Sequence, residues 1–332
     1  MSRDRSPRRL RRRDRNALIA ASLTAMSLTA SGCVVVHGER EVLPATTRAE
    51  AAEALEEFTA AYNKADKEYD STQDAEFVTG PLADIDGARL KAGRANNPAG
   101  NPDHSALEFS DAEYTIPKKA GWPRWFLADA QANKGGTARW LLVFTRDGLD
   151  EPWQVSYLTL VAPDAVPEFE KDKDGWAEAV PANSPGLTIS PGGLSKAYTT
   201  YLKENGSEFA PGLHTSQWRT QRQKDARKPG LVTQYIDSPL TDGAYAPVAL
   251  RTEDGGALVF FTTRHYVKQT AHAGSTVPTP TKDVLALTTG EIKQSLTKEI
   301  VSNEVALVPE KSAGSQVSVL GRIQGMTSAK GE

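Results

Sequence analysis

The sequence predicts an α+β fold of two tandem, diverged units, each an amphipathic helix on a bent antiparallel sheet. Three observations carry that expectation. Apolar residues recur at steps of three and four after Thr47, and runs rich in aromatic and β-branched residues, punctuated by Gly, Pro and Asp, begin near Leu107. The same order then restarts after a Ser-Pro-Gly-rich stretch at residues 183–193 (NSPGLTISPGG). The expected division is a signal peptide at 1–32, a tether at 33–46, a first α+β domain at 47–183, a linker at 184–193 and a second α+β domain at 194–328. A 332-residue chain can fill two cores of ordinary domain size even without its leader.

The leader has three parts. Eight arginines lie among the first 15 residues, and residues 17–30 (ALIAASLTAMSLTA) carry no charge. That apolar run is shorter than the roughly 20 residues of a spanning helix and suits the middle of a secretory signal. Ala30-Ser31-Gly32 then precede Cys33, the only cysteine. Small residues let a signal peptidase close around the chain, and the pattern resembles a lipobox, which implies lipidation of Cys33 by a diacylglyceryl group at the mature N-terminus. Ala30 stands where a lipobox usually has Leu, which bears on the efficiency of cleavage. Two alternatives stay open. Val34, Val35 and Val36 extend the apolar run, so residues 17–36 could form an uncleaved anchor, and the arginine pairs at 8–9 and 12–13 admit twin-arginine export.

Cleavage before Cys33 removes eight basic and two acidic side chains and takes the formal charge from −3 to −9. Such a chain has no polybasic grip on nucleic acid or anionic lipid, so no nucleic-acid partner is expected. Membrane attachment then rests on acyl chains, at roughly 0.8 kcal/mol per buried methylene. With no second cysteine there is no internal disulfide, and stability must come from burial.

Thr47-Arg-Ala-Glu50 has the spacing of a capping box and opens the first helix. Ala51, Ala54, Leu55, Phe58, Ala61, Tyr62 and Ala65 form its apolar stripe, with Glu53, Glu56, Glu57 and Lys64 on a solvated face. Residues 107–116, 125–128, 140–145 and 154–161 read as strands of an antiparallel sheet. After the linker, Leu194, Ala197, Tyr198, Tyr201 and Leu202 repeat the helical spacing, and Asn205-Gly206 supplies a stop. The echoes continue in order: 77–82 (FVTGPL) with 209–213 (FAPGL), then polar helical stretches ending near Pro98 and Pro229. Residues 140–146 match 257–263, and 155–163 match 301–309, an order that points to a duplication. Glu253-Asp-Gly-Gly256 is the clearest hairpin turn, between strands at 248–251 and 257–262.

One helix on a bent sheet, opening with residues 58–63 (FTAAYN), is similar to the cystatin-like and NTF2-like architecture, a scaffold that hosts enzymes, carriers and interaction modules alike. From lipobox to Gly331 the chain also resembles uncharacterised lipoproteins of actinomycetes such as Streptomyces. The stretches that carry this are residues 36–41 (VHGERE), 58–66 (FTAAYNKAD), 117–126 (PKKAGWPRWF) and 302–305 (SNEV). The resemblance implies secretion and lipid anchoring on the extracellular face of the cell membrane, and it brings no activity with it.

Few motifs in the chain point to chemistry. Ser295-Leu-Thr-Lys298 has the Ser-x-x-Lys spacing of penicillin-binding enzymes, but the Lys-Thr-Gly and Ser-Asp-Asn companions are missing. Residues 170–175 (EKDKDG) imitate the front of a calcium loop, yet Pro181 stands where its bidentate glutamate belongs. His37, His104, His214, His265 and His272 show no metal spacing, and Arg264-His265-Tyr266 reads as a polar strand end or a pocket wall. Trp122 and Trp125 could stack on cell-wall sugars or pack in the core. No catalytic residue, metal site or cofactor is expected. Two readings remain: a non-enzymatic interaction or binding module facing an envelope protein or cell-wall ligand, and a small-ligand carrier or pocket enzyme.

Overall fold

The computed structural model describes residues 41–332. Cys33 and the whole leader lie outside the described residues. Residues from Val42 onward form one compact unit of mixed α and β structure, with three sheets and few helices.

Strand β1 (Leu43–Pro44) leads into helix α1 (Arg48–Glu68). Thr47 caps α1 through its hydroxyl, which accepts the Glu50 N–H at 3.1 Å, as the capping-box spacing predicts. The Glu50 carboxylate does not return the bond. It accepts instead from the Thr46 hydroxyl at 2.5 Å and the Trp153 indole at 3.1 Å. The stripe from Ala51 to Ala65 is buried as its spacing requires, with Tyr62 partly so. Helix α2 (Gly80–Asn96) carries Pro81 in its first turn, where a missing N–H is tolerated. Its Gly80, at φ +53°, lies so close to the Ala244 carbonyl that a side chain would collide with it.

Strands β2 (Phe109–Thr115), β3 (Pro117–Lys119), β4 (Arg124–Ala132), β5 (Arg139–Arg146), β6 (Gln154–Val161) and β7 (Ala177–Glu178) follow. An antiparallel four-stranded sheet has the order β2-β4-β5-β6, and β1-β3-β7 form a small separate sheet. Beyond the linker come α3 (Pro191–Glu204), a π-helical turn (Leu213–Gln217), α4 (Trp218–Asp225), β8 (Arg227–Lys228), β9 (Leu231–Leu240), β10 (Val248–Arg251), β11 (Ala257–Ala271), α5 (Lys282–Ala286), β12 (Thr288–Thr289), β13 (Ser295–Val308) and β14 (Ser318–Gly331). Seven of these strands form one sheet in the order β12-β14-β13-β11-β9-β8, with β10 also paired to the start of β11.

Side-chain alternation shows how the layers stack. On β4 and β5, Phe126, Ala128, Leu142 and Phe144 face α1, whereas Trp125, Leu127, Leu141 and Val143 face the other way. On β11 and β13, Leu258, Phe260, Val305 and Leu307 meet that second face, while Ala257, Val259, Phe261, Ala306 and Val308 face α3. The result is helix, sheet, sheet, helix. Residues on both sides of the linker share the core between the sheets, and they meet in the helix-facing cores too, where Ile323 packs on the core under α1 and Val180 joins the core under α3. The strand expected at 257–262 runs on to Ala271, because its outer part pairs with β9 and β13 while alternating polar and apolar side chains.

Candidate functional site

Aromatic side chains pack the centre of the space between helix and sheet in both halves, and a groove of about 520 Å³ stays open between α1 and edge strand β2, lined by Leu55, Thr59, Asn63, Phe109 and Tyr114 among others. Under α1, Phe126 and Phe144 stack at 4.7 Å, Trp153 meets Phe126 edge-on at 4.9 Å, and Phe58 meets Phe144 at 6.0 Å. Under α3, Tyr198 lies 5.5 Å from Phe209 and 5.6 Å from Phe261, and Tyr201 lies 5.1 Å from Phe209.

Next to this second aromatic cluster the same sheet face turns polar. Register places Glu304 of β13 between Phe261 and Arg322, with Thr263 and His265 next along β11. The Thr263 hydroxyl donates to Glu304 at 2.7 Å, while the second carboxylate oxygen has no partner among the described residues. Burial at 1% exposure pushes this carboxyl up to about 8, and the Thr263 bond and the charges of Arg322 and Arg222 offset only part of that. His265 is held near 3, first by burial and then by Arg222 and Arg322, and His214 near 4 by burial and Arg322. Arg222 reaches both oxygens of Asp237 at 2.8 Å and lies 4.8 Å over the rings of Trp218 and Tyr235. At neutral pH the layer therefore holds a protonated acid and two neutral histidines. Shifted groups of this kind gather at functional sites; here Glu304, Thr263, His265 and Arg222 are buried, while His214, Trp218 and Arg322 at the edge of the layer are partly exposed.

A second acid cluster sits where α1 and α2 meet. Asp74 and Asp86 are both buried, and burial together with the Asp86 charge raises the Asp74 carboxyl. Arg89 donates from Nε to Asp86 at 2.9 Å and from Nη1 to Asp66 at 2.6 Å. Asp66 also meets the His104 ring at 2.7 Å; these bonds outweigh its burial and hold it below the usual carboxylate range. Arg89 also borders a cavity of about 420 Å³ between α2, α5 and β14, whose other walls include Ile85, Gly93, Leu287, Gln324 and Met326.

The residues singled out in the sequence go to different places. Trp125 is 4% exposed in the core between the sheets. Trp122 is half-buried at the end of the four-stranded sheet, with the guanidinium of Arg124 4.9 Å and that of Arg146 5.7 Å from its ring. The two indoles share no surface. Ser295 and Lys298 lie three apart on extended β13, so their side chains leave opposite faces and do not meet. In the acidic turn, Asp172 accepts from the backbone N–H groups of Asp174 and Trp176, and Lys118 pairs with Asp172 at 2.5 Å and Asp174 at 3.5 Å. Among the described residues no cluster of His, Cys, Asp and Glu of metal-binding size occurs, and no helix is long and apolar enough to cross a membrane. Glu304, Asp74 and Asp86 were missed in the sequence. Glu304 had a usable signal, a lone acid inside the apolar strand VALVP and its flank SNE.

The fold thus defines a helix-flanked pair of sheets in one compact unit. The chain belongs to the family described as a domain of unknown function, DUF8094, whose model matches residues 42–331. It is 71% identical to an uncharacterized lipoprotein of Streptomyces coelicolor and 56% identical to one of Streptomyces avermitilis, with all of each chain covered in both cases. A second uncharacterized lipoprotein of Streptomyces coelicolor is 26% identical over 94% of this chain and 93% of its own. No solved structure matches the chain significantly.

Proposed function

We propose that the protein is a non-enzymatic interaction module of the cell envelope, anchored by acylated Cys33 to the outer face of the cytoplasmic membrane. The observation that carries this reading is the aromatic packing at the centre of both helix-to-sheet interiors, which leaves only the open groove beside β2 and the outer surfaces to act. The relatives' designation as lipoproteins supports the anchor. The halves read as diverged NTF2-like copies: the order β2-β4-β5-β6 repeats as β9-β11-β13-β14, and the segment after the helix bridges the last strand in each, Val78 to Val155 and Phe209 to Val317, although the sequence echoes at 140–146 and 155–163 fall one strand out of step with this order. Cross-linking on intact cells, followed by capture of the tagged protein, tests the role. The expected result is one reproducible envelope partner that is lost with Cys33→Ala; recovery of no such partner in replicate captures overturns it.

A second reading rests on the cavity beside Arg89. Its size and mixed lining suit a small amphipathic ligand. Native mass spectrometry of protein taken from its own membrane tests this, since a carrier should retain a co-purified mass that Met326→Trp displaces.

A further inference from the structure

We infer that the end of the molecule formed by Val42, Leu43, Lys119, Trp122, Arg124 and Leu149 rests in the headgroup layer of the bilayer that holds Cys33. The inference deepens the proposed anchoring and rests on it.

Three observations lead there. The first is covalent: eight residues lie between Cys33 and Val42, and the nine residue steps from one to the other span at most about 30 Å when fully extended. The folded unit therefore starts within that distance of the acylated cysteine. The second is where the chain enters the fold. Leu43 pairs with Lys119 and Pro44 with Lys118, and the Pro44 carbonyl accepts from Arg124 at 3.4 Å, so the entry point is fixed beside the turn that carries Trp122. Arg124 pairs with Arg146 across β4 and β5, which places the turn after Arg146, with Leu149, at the same end of the sheet.

The third observation is chemical. Val42, Leu43 and Leu149 are 60%, 36% and 73% exposed, three of the few large aliphatic side chains left open to solvent. With half-buried Trp122 they give this end aliphatic tips, an amphipathic indole and two half-buried cations that make no ion pair among the described residues, Lys119, which donates to the Pro123 carbonyl, and Arg124, which donates to the Pro44 carbonyl and lies over the Trp122 ring. Trp at the headgroup level and Lys or Arg reaching phosphates is the composition that bilayer interfaces select. The contact is not a polybasic one. Asp147, Asp150 and Glu151 share the turn with Leu149, Arg146 is neutralised by Glu50 at 2.9 Å, and Lys118 by Asp172 at 2.5 Å. Its strength should therefore change little with salt. Nor need it be strong, because a short tether supplies an effective concentration on the order of millimolar.

The test uses the mature acylated protein in phosphatidylcholine and phosphatidylglycerol vesicles whose acyl chains are brominated near the headgroup. Tryptophan quenching is read. Quenching is expected, with Trp122→Phe removing most of it and the double variant Leu43→Ser, Leu149→Ser reducing it at least twofold. Trp140→Phe, at the opposite end of the sheet, should leave it in place, and raising the salt to about 1 M, where the screening length is about 3 Å, should not abolish it. Quenching that is absent, or unchanged in both the Trp122 and the Leu43/Leu149 variants, overturns the inference while anchoring stands. Insensitivity to lipid combined with a Trp122 emission shift on adding soluble peptidoglycan fragments overturns it too and gives the indole to sugar. A mature chain whose mass lacks the diacylglyceryl group removes the anchoring itself.

Discussion

Replacing Glu304 with glutamine should flatten the pH dependence of stability. In the fold the carboxyl is raised from an ordinary value of 4.5 to about 8, so between those pH values the folded state keeps a proton that the unfolded chain releases. Stability must then fall as pH rises through that window and level off above it. Each pH unit across it is worth about 1.36 kcal/mol, which makes the loss from pH 5 to pH 8.5 roughly 4 kcal/mol. The amide of Glu304→Gln keeps an oxygen to accept the Thr263 hydroxyl bond, has nearly the same volume and does not titrate. The raised Asp74 carboxyl pulls in the same direction in both proteins, so the difference between them isolates Glu304. Urea unfolding followed by tryptophan fluorescence at pH 5 and pH 8.5 measures it. The two proteins should match within about 1 kcal/mol at pH 5, and Glu304→Gln should be the more stable at pH 8.5. Equal losses in both proteins would falsify the view that Glu304 is folded in as a neutral acid.

Other perturbations test the packing. Phe126→Ala removes the ring stacked on Phe144 in the helix-facing core and should cost about 3–5 kcal/mol, read from the urea midpoint. Asp237→Ala leaves the buried Arg222 guanidinium unpaired and should cost about 3–5 kcal/mol, while Arg222→Met combined with Asp237→Leu should recover much of it in thermal melts. Gly93→Ala discriminates by sign: helix propensity alone favours Ala by about 1 kcal/mol, but its methyl would run into the Tyr69 ring, so a net loss of about 1–3 kcal/mol is expected.

Periodicity and turn chemistry made the local elements legible. The Thr47 cap, the stripe of α1, strand β6 and the hairpin at 253–256 come out where the residues place them, while the Glu50 half of the capping box goes to Thr46 and Trp153 instead. The back-to-back sheets had a signal as well, in the runs WFLADA, WLLVF and ALVFF, whose lack of alternation means that both faces are buried. What marks the partner of such a face is register and packing over long sequence separations, and no local pattern encodes that. For the same reason Trp122 and Trp125, nearly adjacent in sequence, could not be sorted into surface and core: one precedes β4 and the other lies within it, facing β11. The acid clusters stayed hidden because Asp74, Asp86 and Glu304 are solvated residues by composition and become buried only through tertiary contacts.

The proposed anchor at Cys33 underlies the proposed role, the inferred contact with the bilayer and the reading of the leader. Its most direct test is the mass of the N-terminal peptide of the mature protein taken from the membrane fraction. The expected peptide begins at Cys33 and carries a diacylglyceryl group on its sulfur, with Cys33→Ala leaving the membrane fraction. A peptide that runs through an unmodified Cys33 into the apolar residues before it would contradict the account.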